Sequence, residues 1–142
     1  MLFNFEFRIS NFCSRISNFE FGKQPLAKRD LEERTKNFAL QIINFVSDMP
    51  KNRTTNILSN QLLRSGTSIG ANYREANRAE SRRDFIHKIA IVEKEAAETQ
   101  YWLELFAEAD LADNSEVQRL HAECTELVAI FTAIGKTSKQ RG

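Results

Sequence analysis

Five basic residues lie between Tyr73 and Lys88, interspersed with three acidic ones. The basic residues are Arg74, Arg78, Arg82, Arg83 and Lys88. Arginine and lysine bind phosphate groups, and a cluster of them gives salt-dependent affinity for RNA or DNA without base specificity. The segment therefore predicts a nucleic-acid surface. The alternative is a solvated helix corner whose cations pair with the acids Glu75, Glu80 and Asp84.

No other residue pattern indicates catalysis or a cofactor. His87 and His121 are the only histidines, whereas a metal site in a helical bundle needs paired Glu-x-x-His motifs and further glutamates. Asp84 and His87 form a single Asp-x-x-His motif, which is only one of the two motifs required. Ser65 and Ser68 have no histidine at a spacing typical of an activated nucleophile. We therefore predict a protein that is not an enzyme, with no catalytic residue, no metal and no cofactor.

The stretch RSGTSIGA, residues 64–71, concentrates small residues around Gly66 and Gly70. A phosphate-binding Walker loop requires a lysine directly after its second glycine, and none is present here. The apolar spacing of the preceding segment continues in phase through both glycines, which predicts an unbroken helix. Small residues four positions apart allow another helix to approach closely. Asn72 lies on the same seam, where it either fixes register or oligomeric state or bonds a neighbouring helix.

Composition indicates an ordinary globular chain of 142 residues with a net charge of +1, so nucleic-acid binding would require a local patch. The two cysteines, Cys13 and Cys124, do not make a disulfide framework. No apolar run reaches the ~18 residues of a membrane span, and the N-terminus lacks the continuous apolar stretch of a signal peptide. We expect a reduced, cytoplasmic protein that does not enter membranes.

Residues 1–24 differ from the rest of the chain. They contain three related heptads, NFEFRIS, NFCSRIS and NFEFGKQ, with alternating aromatic and polar residues. This pattern is typical of a β-prone segment. Two interpretations remain: a working tail, or translated tandem-repeat DNA upstream of the functional start. We expect a repetitive extension over residues 1–24, a bundle domain over 25–137 and a basic tail over 138–142.

From residue 25 onward the apolar period is that of α-helices. Four stripes follow one another, and they consist of Leu31, Thr35, Phe38, Ile42, Phe45 and Met49; Leu58, Leu62, Ser65, Ile69, Asn72 and Ala76; Phe85, Ile89, Val92, Ala96, Thr99, Leu103 and Phe106; and Val117, Leu120, Cys124, Leu127, Phe131 and Ile134. Short connections between them predict an all-α, antiparallel, up-down four-helix bundle.

Local signals predict where these helices begin and end. Pro50 should end the first helix. Ser81, with Asp84 three residues later, resembles a capping box for the third helix, and Ser115 with Gln118 resembles one for the fourth. Gly135 and the basic residues after it fit the end of the last helix.

The run QLLRSGTSIGANYREANRAESRRDFIHKIAIVEKEAAETQYWLEL, residues 61–105, resembles the 23S rRNA-intervening-sequence protein family of four-helix-bundle proteins. The matching positions are Arg64, Ser65, Ser68, Ile69, Ala71, Asn72, Glu75, Phe85, Glu93 and Glu98. Tyr73 stands where an aliphatic residue is common, and the heptads before Pro25 have no counterpart. The family is also distantly similar to the accessory variability proteins of diversity-generating retroelements.

The resemblance implies an antiparallel bundle that assembles into a homopentameric ring and has no enzymatic activity. Some members are encoded inside intervening sequences of bacterial 23S rRNA genes, and the retroelement branch is tied to reverse transcriptase and nucleic acid. Two hypotheses about partners follow. The first is a ring that binds structured RNA or DNA through the basic segment, and the second is an adaptor for a protein partner without nucleic-acid contact.

Overall fold

The structure, a computed structural model, describes residues 26–141, so the predicted extension at residues 1–24 lies outside the described part. The helices are α1 (Leu26–Ser47), α2 (Arg53–Ala76), α3 (Arg82–Glu108) and α4 (Asn114–Gln140). No strand occurs among these residues, which confirms the all-α prediction. None of the helices described for residues 26–141 is long and apolar enough to cross a membrane.

The polar contacts between packed helices show in which direction each helix runs relative to its neighbour. Between α3 and α4, Gln100 donates to Thr125 Oγ1 at 3.0 Å, and Thr132 donates to Glu93 Oε1 at 2.8 Å. Residue numbers therefore rise along one helix as they fall along the other. The polar contacts that join α2 to α3 and α1 to α4 are ordered in the same way. The predicted antiparallel, up-down arrangement is confirmed.

The predicted apolar stripes form the core of the bundle. The largest fully buried rings are Phe38, Phe45, Phe106 and Phe131. The Phe45 and Phe106 rings meet edge to face with centroids 5.4 Å apart, which ties α1 to α3 across the core. Stripe positions near helix ends, namely Met49, Leu58 and Phe85, are only half-buried because fewer neighbours surround them there.

Helix α2 continues through both glycines, as the unbroken phase of its stripe predicts. A Cβ placed on Gly66 would lie 3.1 Å from Ile42 Cγ1, and one placed on Gly70 would lie 3.2 Å from Thr35 Oγ1. Both neighbours belong to α1. The prediction of a close-contact face is confirmed, and the helix that approaches it is α1 of the same chain.

The predicted start of the last helix is wrong by two residues. Asp113 is the N-cap of α4, because its Oδ1 accepts from Glu116 N at 3.1 Å. Ser115, predicted as the cap, instead donates its hydroxyl to Asp113 Oδ1 at 2.5 Å. These bonds stabilise the Asp113 carboxylate and lower its pKa, with the bond from Ser115 contributing most.

The predicted end of the last helix at Gly135 is also wrong, because α4 runs on to Gln140. Gly135 is buried inside the helix, and a Cβ placed there would meet Ile89 Cγ2 at an ordinary 3.7 Å. A glycine permits a helix end without requiring one. Beyond Gly135, the carbonyls of Ser138 and Arg141 accept hydrogen bonds from Arg82 of α3.

Candidate nucleic-acid interface at the α2–α3 corner

The predicted basic residues fall mainly on a sharp corner between α2 and α3, residues 74–83, which we call the α2–α3 corner. Helix α2 ends at Ala76, and α3 begins after Ser81, whose Oγ accepts from Asp84 N at 3.1 Å. The predicted cap at Ser81 is therefore confirmed. Arg78 lies in the turn itself, where its side chain is exposed.

Arg82 is bound to the end of α4. Its Nε donates to Ser138 O at 3.1 Å, its Nη1 donates to Arg141 O at 2.5 Å, and its Nη2 also donates to Ser138 O. The last carbonyls of a helix have no partner within that helix, and a guanidinium supplies several donors of favourable charge. Arg82 thus fastens the last turn of α4 to the first turn of α3.

Lys88 is also engaged, through an ion pair with an acid of α2. Its Nζ lies 2.8 Å from Glu75 Oε2, and this hydrogen bond raises the pKa of the Lys88 ammonium. The pair joins α2 to α3 one turn below the corner. At this position the alternative interpretation, cations neutralised by local acids, is correct.

The remaining three arginines, Arg74, Arg78 and Arg83, are exposed. Within the part of the chain that the structure describes, none of them makes an ion pair or hydrogen bond through its side chain. Arg74 lies one helical turn after Gly70, whose bare face meets α1, so it lies on the α1 side of α2. Arg78, in the turn, and Arg83, in the first turn of α3, are the other two cations without a partner among the described residues.

The core beneath the corner is closed by Tyr73. Its ring is 4% exposed and meets the Phe131 ring edge to face, with centroids 5.2 Å apart. Burial raises the pKa of the Tyr73 hydroxyl to about 12. The neighbouring Asn77 donates to Glu32 Oε1 at 2.8 Å, which ties the end of α2 to α1.

The stability of the bundle should therefore fall in alkaline solution as the tyrosine ionises. In the unfolded chain Tyr73 loses its proton near pH 10, whereas in the folded chain its pKa is about 12. The folded state retains the proton longer, so its stability is complete below about pH 10 and declines by up to ~2–3 kcal/mol as the pH rises toward about 12. The measurement is denaturant unfolding at a series of pH values.

The variant Tyr73→Phe should lack this part of the alkaline decline. Tyr101→Phe is the matched control, because it removes the same hydroxyl group from a side chain that is 51% exposed. Cys124, whose thiol pKa is raised by burial to about 12, is present in both variants and contributes equally to both. A Tyr73→Phe protein that declines as steeply as the wild type would contradict the assignment.

Two residues of the family motif, Arg64 and Glu98, form a polar seam between α2 and α3 together with Glu95 and Trp102. Arg64 Nη2 donates to Glu98 Oε1, and Trp102 Nε1 donates to the same oxygen at 3.3 Å. Partial burial opposes ionisation of Glu98, yet the bonds from Arg64 and Trp102 bring its pKa below the ordinary value. Glu95 Oε2 lies 3.7 Å from Arg64 Nη1 at the inner end of this seam. The seam joins two helices and exposes only part of Arg64.

Three other polar motif residues of α2, Ser65, Ser68 and Asn72, bond within their own helix. Ser68 Oγ donates to Arg64 O at 2.6 Å, and Asn72 Nδ2 donates to Ser68 O at 2.8 Å. The half-buried amide of Asn72 therefore bonds a carbonyl one turn back in its own helix and makes no hydrogen bond to a neighbouring helix of the described chain. Ile69 is fully buried, and Ala71 is exposed.

Comparison with known proteins places the chain in a family. The family model for the 23S rRNA-intervening sequence protein matches residues 28–133. The chain belongs to this family. A solved relative, a protein of unknown function from the S23 ribosomal protein family of Bacteroides thetaiotaomicron VPI-5482, is 38% identical. Its 1.70 Å crystal structure superposes with a TM-score of 0.71, over 77% of this chain and 97% of that one.

This match confirms the family that the motif in residues 61–105 predicts. A search of curated proteins found no match to the chain. The solved relative carries no assigned activity, so membership fixes the fold and leaves the activity to be argued from the residues themselves.

Neither histidine of this family member belongs to a metal-binding cluster among residues 26–141. His121 Nε2 lies 3.3 Å from Glu104 Oε1 at the surface between α3 and α4, and His87 is exposed. Among residues 26–141, no group of three or more histidine, cysteine, aspartate or glutamate side chains could hold a metal ion.

Two features of the family member could not be predicted from its sequence pattern. Arg34 of α1 bonds Glu123 of α4 at 2.6 and 2.9 Å and also pairs with Glu126, contacts that raise the pKa of its guanidinium. Helix α4 likewise reaches the α2–α3 corner through Arg82. Each contact joins residues far apart in sequence, and no local periodicity reports it.

Proposed function

We propose that this member of the 23S rRNA-intervening sequence protein family is a non-enzymatic cytoplasmic protein that binds the phosphate backbone of RNA or DNA at the α2–α3 corner. The observation that carries the proposal is the state of Arg78 and Arg83. Both side chains are exposed and lack an acid partner among the described residues, although Glu80 and Asp84 are close in sequence. Exposed arginines without an acid partner can bind the phosphates of a nucleic-acid backbone without contacting base edges.

The distribution of charge along the bundle supports this direction of approach. Residues 95–127 form the second half of α3, the α3–α4 connection and the first half of α4. They contain nine acids and one arginine. After Leu127 there are three basic residues and no acid. Along α3 and α4, this distribution favours the approach of a polyanion at the end that carries the corner.

We also propose that the protein assembles into a homopentameric ring, as its family resemblance implies. The outer face of α1 supports self-association, since Leu40 and Ile43 lie three residues apart and are 47% and 40% exposed. A ring would repeat the corner around its circumference. Weak contacts to one long nucleic acid would then add through an effective concentration.

The test combines light scattering with binding at two salt concentrations. The full chain is mixed with a labelled RNA hairpin and, separately, with the DNA hairpin of the same sequence. We expect a mass near five times 16.4 kDa and a complex that weakens strongly between about 50 and 200 mM salt. The two hairpins separate RNA from DNA as the source of the phosphate. Absence of binding to either hairpin at low salt would overturn the proposed function.

The second candidate function is that of an adaptor for a protein partner. It is favoured by exposed large apolar side chains outside α1, of which Ile57 is 54% exposed and Tyr101 is 51% exposed. This hypothesis expects no salt-sensitive nucleic-acid complex. The variant Ile57→Ser, which leaves the basic corner intact, should then impair partner binding.

A further inference from the structure

The last turn of α4 is held at the α2–α3 corner, although sequence patterns assign it to a separate tail. The guanidinium of Arg82 binds the carbonyls of Ser138 and Arg141, as described above. These carbonyls are the acceptors that a helix end leaves unsatisfied. Arg82 is therefore occupied by the protein itself, and its charge is directed at the helix end.

The register between α3 and α4 places Lys139 beside the first turn of α3. Thr125 and Thr132, seven residues apart, bond Gln100 and Glu93 of α3 at 3.0 and 2.8 Å. Lys139 follows Thr132 by another seven residues and so lies on the same face of α4. Its side chain is exposed, as is that of Arg83 on α3.

The C-terminal part of α4 carries basic residues and no acid. Residues 128–141 contain Lys136, Lys139 and Arg141 and no aspartate or glutamate. Within the described chain, the ammonium of Lys139 makes no ion pair or hydrogen bond. The α3–α4 register thus brings two cations without a partner among the described residues, Lys139 and Arg83, to the same end of the bundle.

We propose that Lys139 is a phosphate-binding residue of the same surface as Arg83, and that Arg82 is the positioning residue that holds it there. This inference rests on the proposed function and specifies it further. The surface then spans two helices that meet only in the folded chain. It includes a residue outside the segment that the sequence pattern marks.

The first test is the salt dependence of hairpin binding by Lys139→Gln. Affinity falls as salt rises, and each lost phosphate contact makes the slope of log affinity against log salt shallower by about 0.9 for a duplex and about 0.7 for a single strand. We expect that decrease for Lys139→Gln. Lys51→Gln is the matched control, because it removes the same charge from the exposed α1–α2 connection at the opposite end of the bundle. Its slope should equal that of the wild type.

The second test separates positioning from direct contact. If Arg82 acts through the α4 end, Arg82→Gln should lower the slope as much as Lys139→Gln, and the double variant should lower it no further. If Arg82 itself contacts phosphate, the two decreases will add, which would overturn its assigned role. Arg82→Lys keeps one charged donor for the carbonyls and should recover part of the lost slope. Thermal unfolding followed by circular dichroism checks that each variant is folded.

The outcomes for the two proposals are distinct. A wild-type protein that binds neither hairpin overturns both the proposed function and this inference. A wild-type protein that binds, with Lys139→Gln indistinguishable from Lys51→Gln, overturns the role of Lys139 and leaves the function of the corner standing.

Discussion

Replacing Gly66 by leucine should lower the free energy of unfolding by about 2 kcal/mol. The first added carbon would already lie 3.1 Å from Ile42 Cγ1, so the rest of the side chain has to separate α1 from α2. Overpacking of this kind costs about 1–3 kcal/mol, and only part is offset by the better helix propensity of leucine. Urea unfolding of the full chain measures the change.

The damage should be concentrated in α1. That helix packs mainly on α2, and its polar links to α4 are the pairs of Arg34 with Glu123 and Glu126 and the bond from Arg119 to Gln41 at 2.9 Å. Amide hydrogen exchange should therefore rise in α1 more than in α3 or α4. Uniform loss of protection across all four helices would contradict a local displacement.

Gly135→Ala is the matched control for the same residue type inside a helix. The added carbon would meet Ile89 Cγ2 at 3.7 Å, an ordinary contact, so no neighbour has to move. Removing a glycine from a helix interior gains up to about 1 kcal/mol. The control should therefore be stabilised while Gly66→Leu is destabilised. If both substitutions were stabilising, α1 and α2 could not be in close contact at Gly66.

The core of this bundle was predictable because every helix repeats its apolar residues on one face. Ile42, Ile69 and Leu103 are all fully buried as their stripes predict. The helix ends were less predictable, because several adjacent residues can serve as a cap. Asp113, Asn114 and Ser115 are all good N-caps by type, and the path of the preceding turn selects Asp113.

The sequence predicts which cations make up the candidate site, but it does not predict which of them are hydrogen-bonded in the folded chain. The sequence identifies the cluster of cations but gives Arg82 and Arg83 equal standing. In the folded chain Arg82 bonds carbonyls more than fifty residues away, whereas Arg83 bonds nothing among the described residues. Such a difference depends on where α4 ends in space. The same holds for Lys139, which only the α3–α4 register brings to the corner.

Replacing Arg78 and Arg83 together by glutamate should weaken binding of the RNA hairpin by about 100-fold at moderate salt. Two attractive contacts are lost and two like charges face the phosphates, which together amount to about 2–4 kcal/mol. Folding should be preserved, because Arg78 is exposed in the turn and an acid in the first turn of α3 is favourable to the helix dipole. Fluorescence anisotropy of the labelled hairpin measures the affinity.

The choice of these two arginines follows from the contacts at the corner. A charge reversal at Arg82 would also release the carbonyls of Ser138 and Arg141, so a loss of binding would not distinguish contact from unfolding of the helix end. Lys51→Glu with Arg53→Glu changes the net charge equally at the opposite end of the bundle, where both side chains are exposed. If this control weakens binding as much as the corner variant, the affinity depends on net charge alone. If neither variant weakens it, the nucleic acid binds elsewhere and the α2–α3 corner is not its interface.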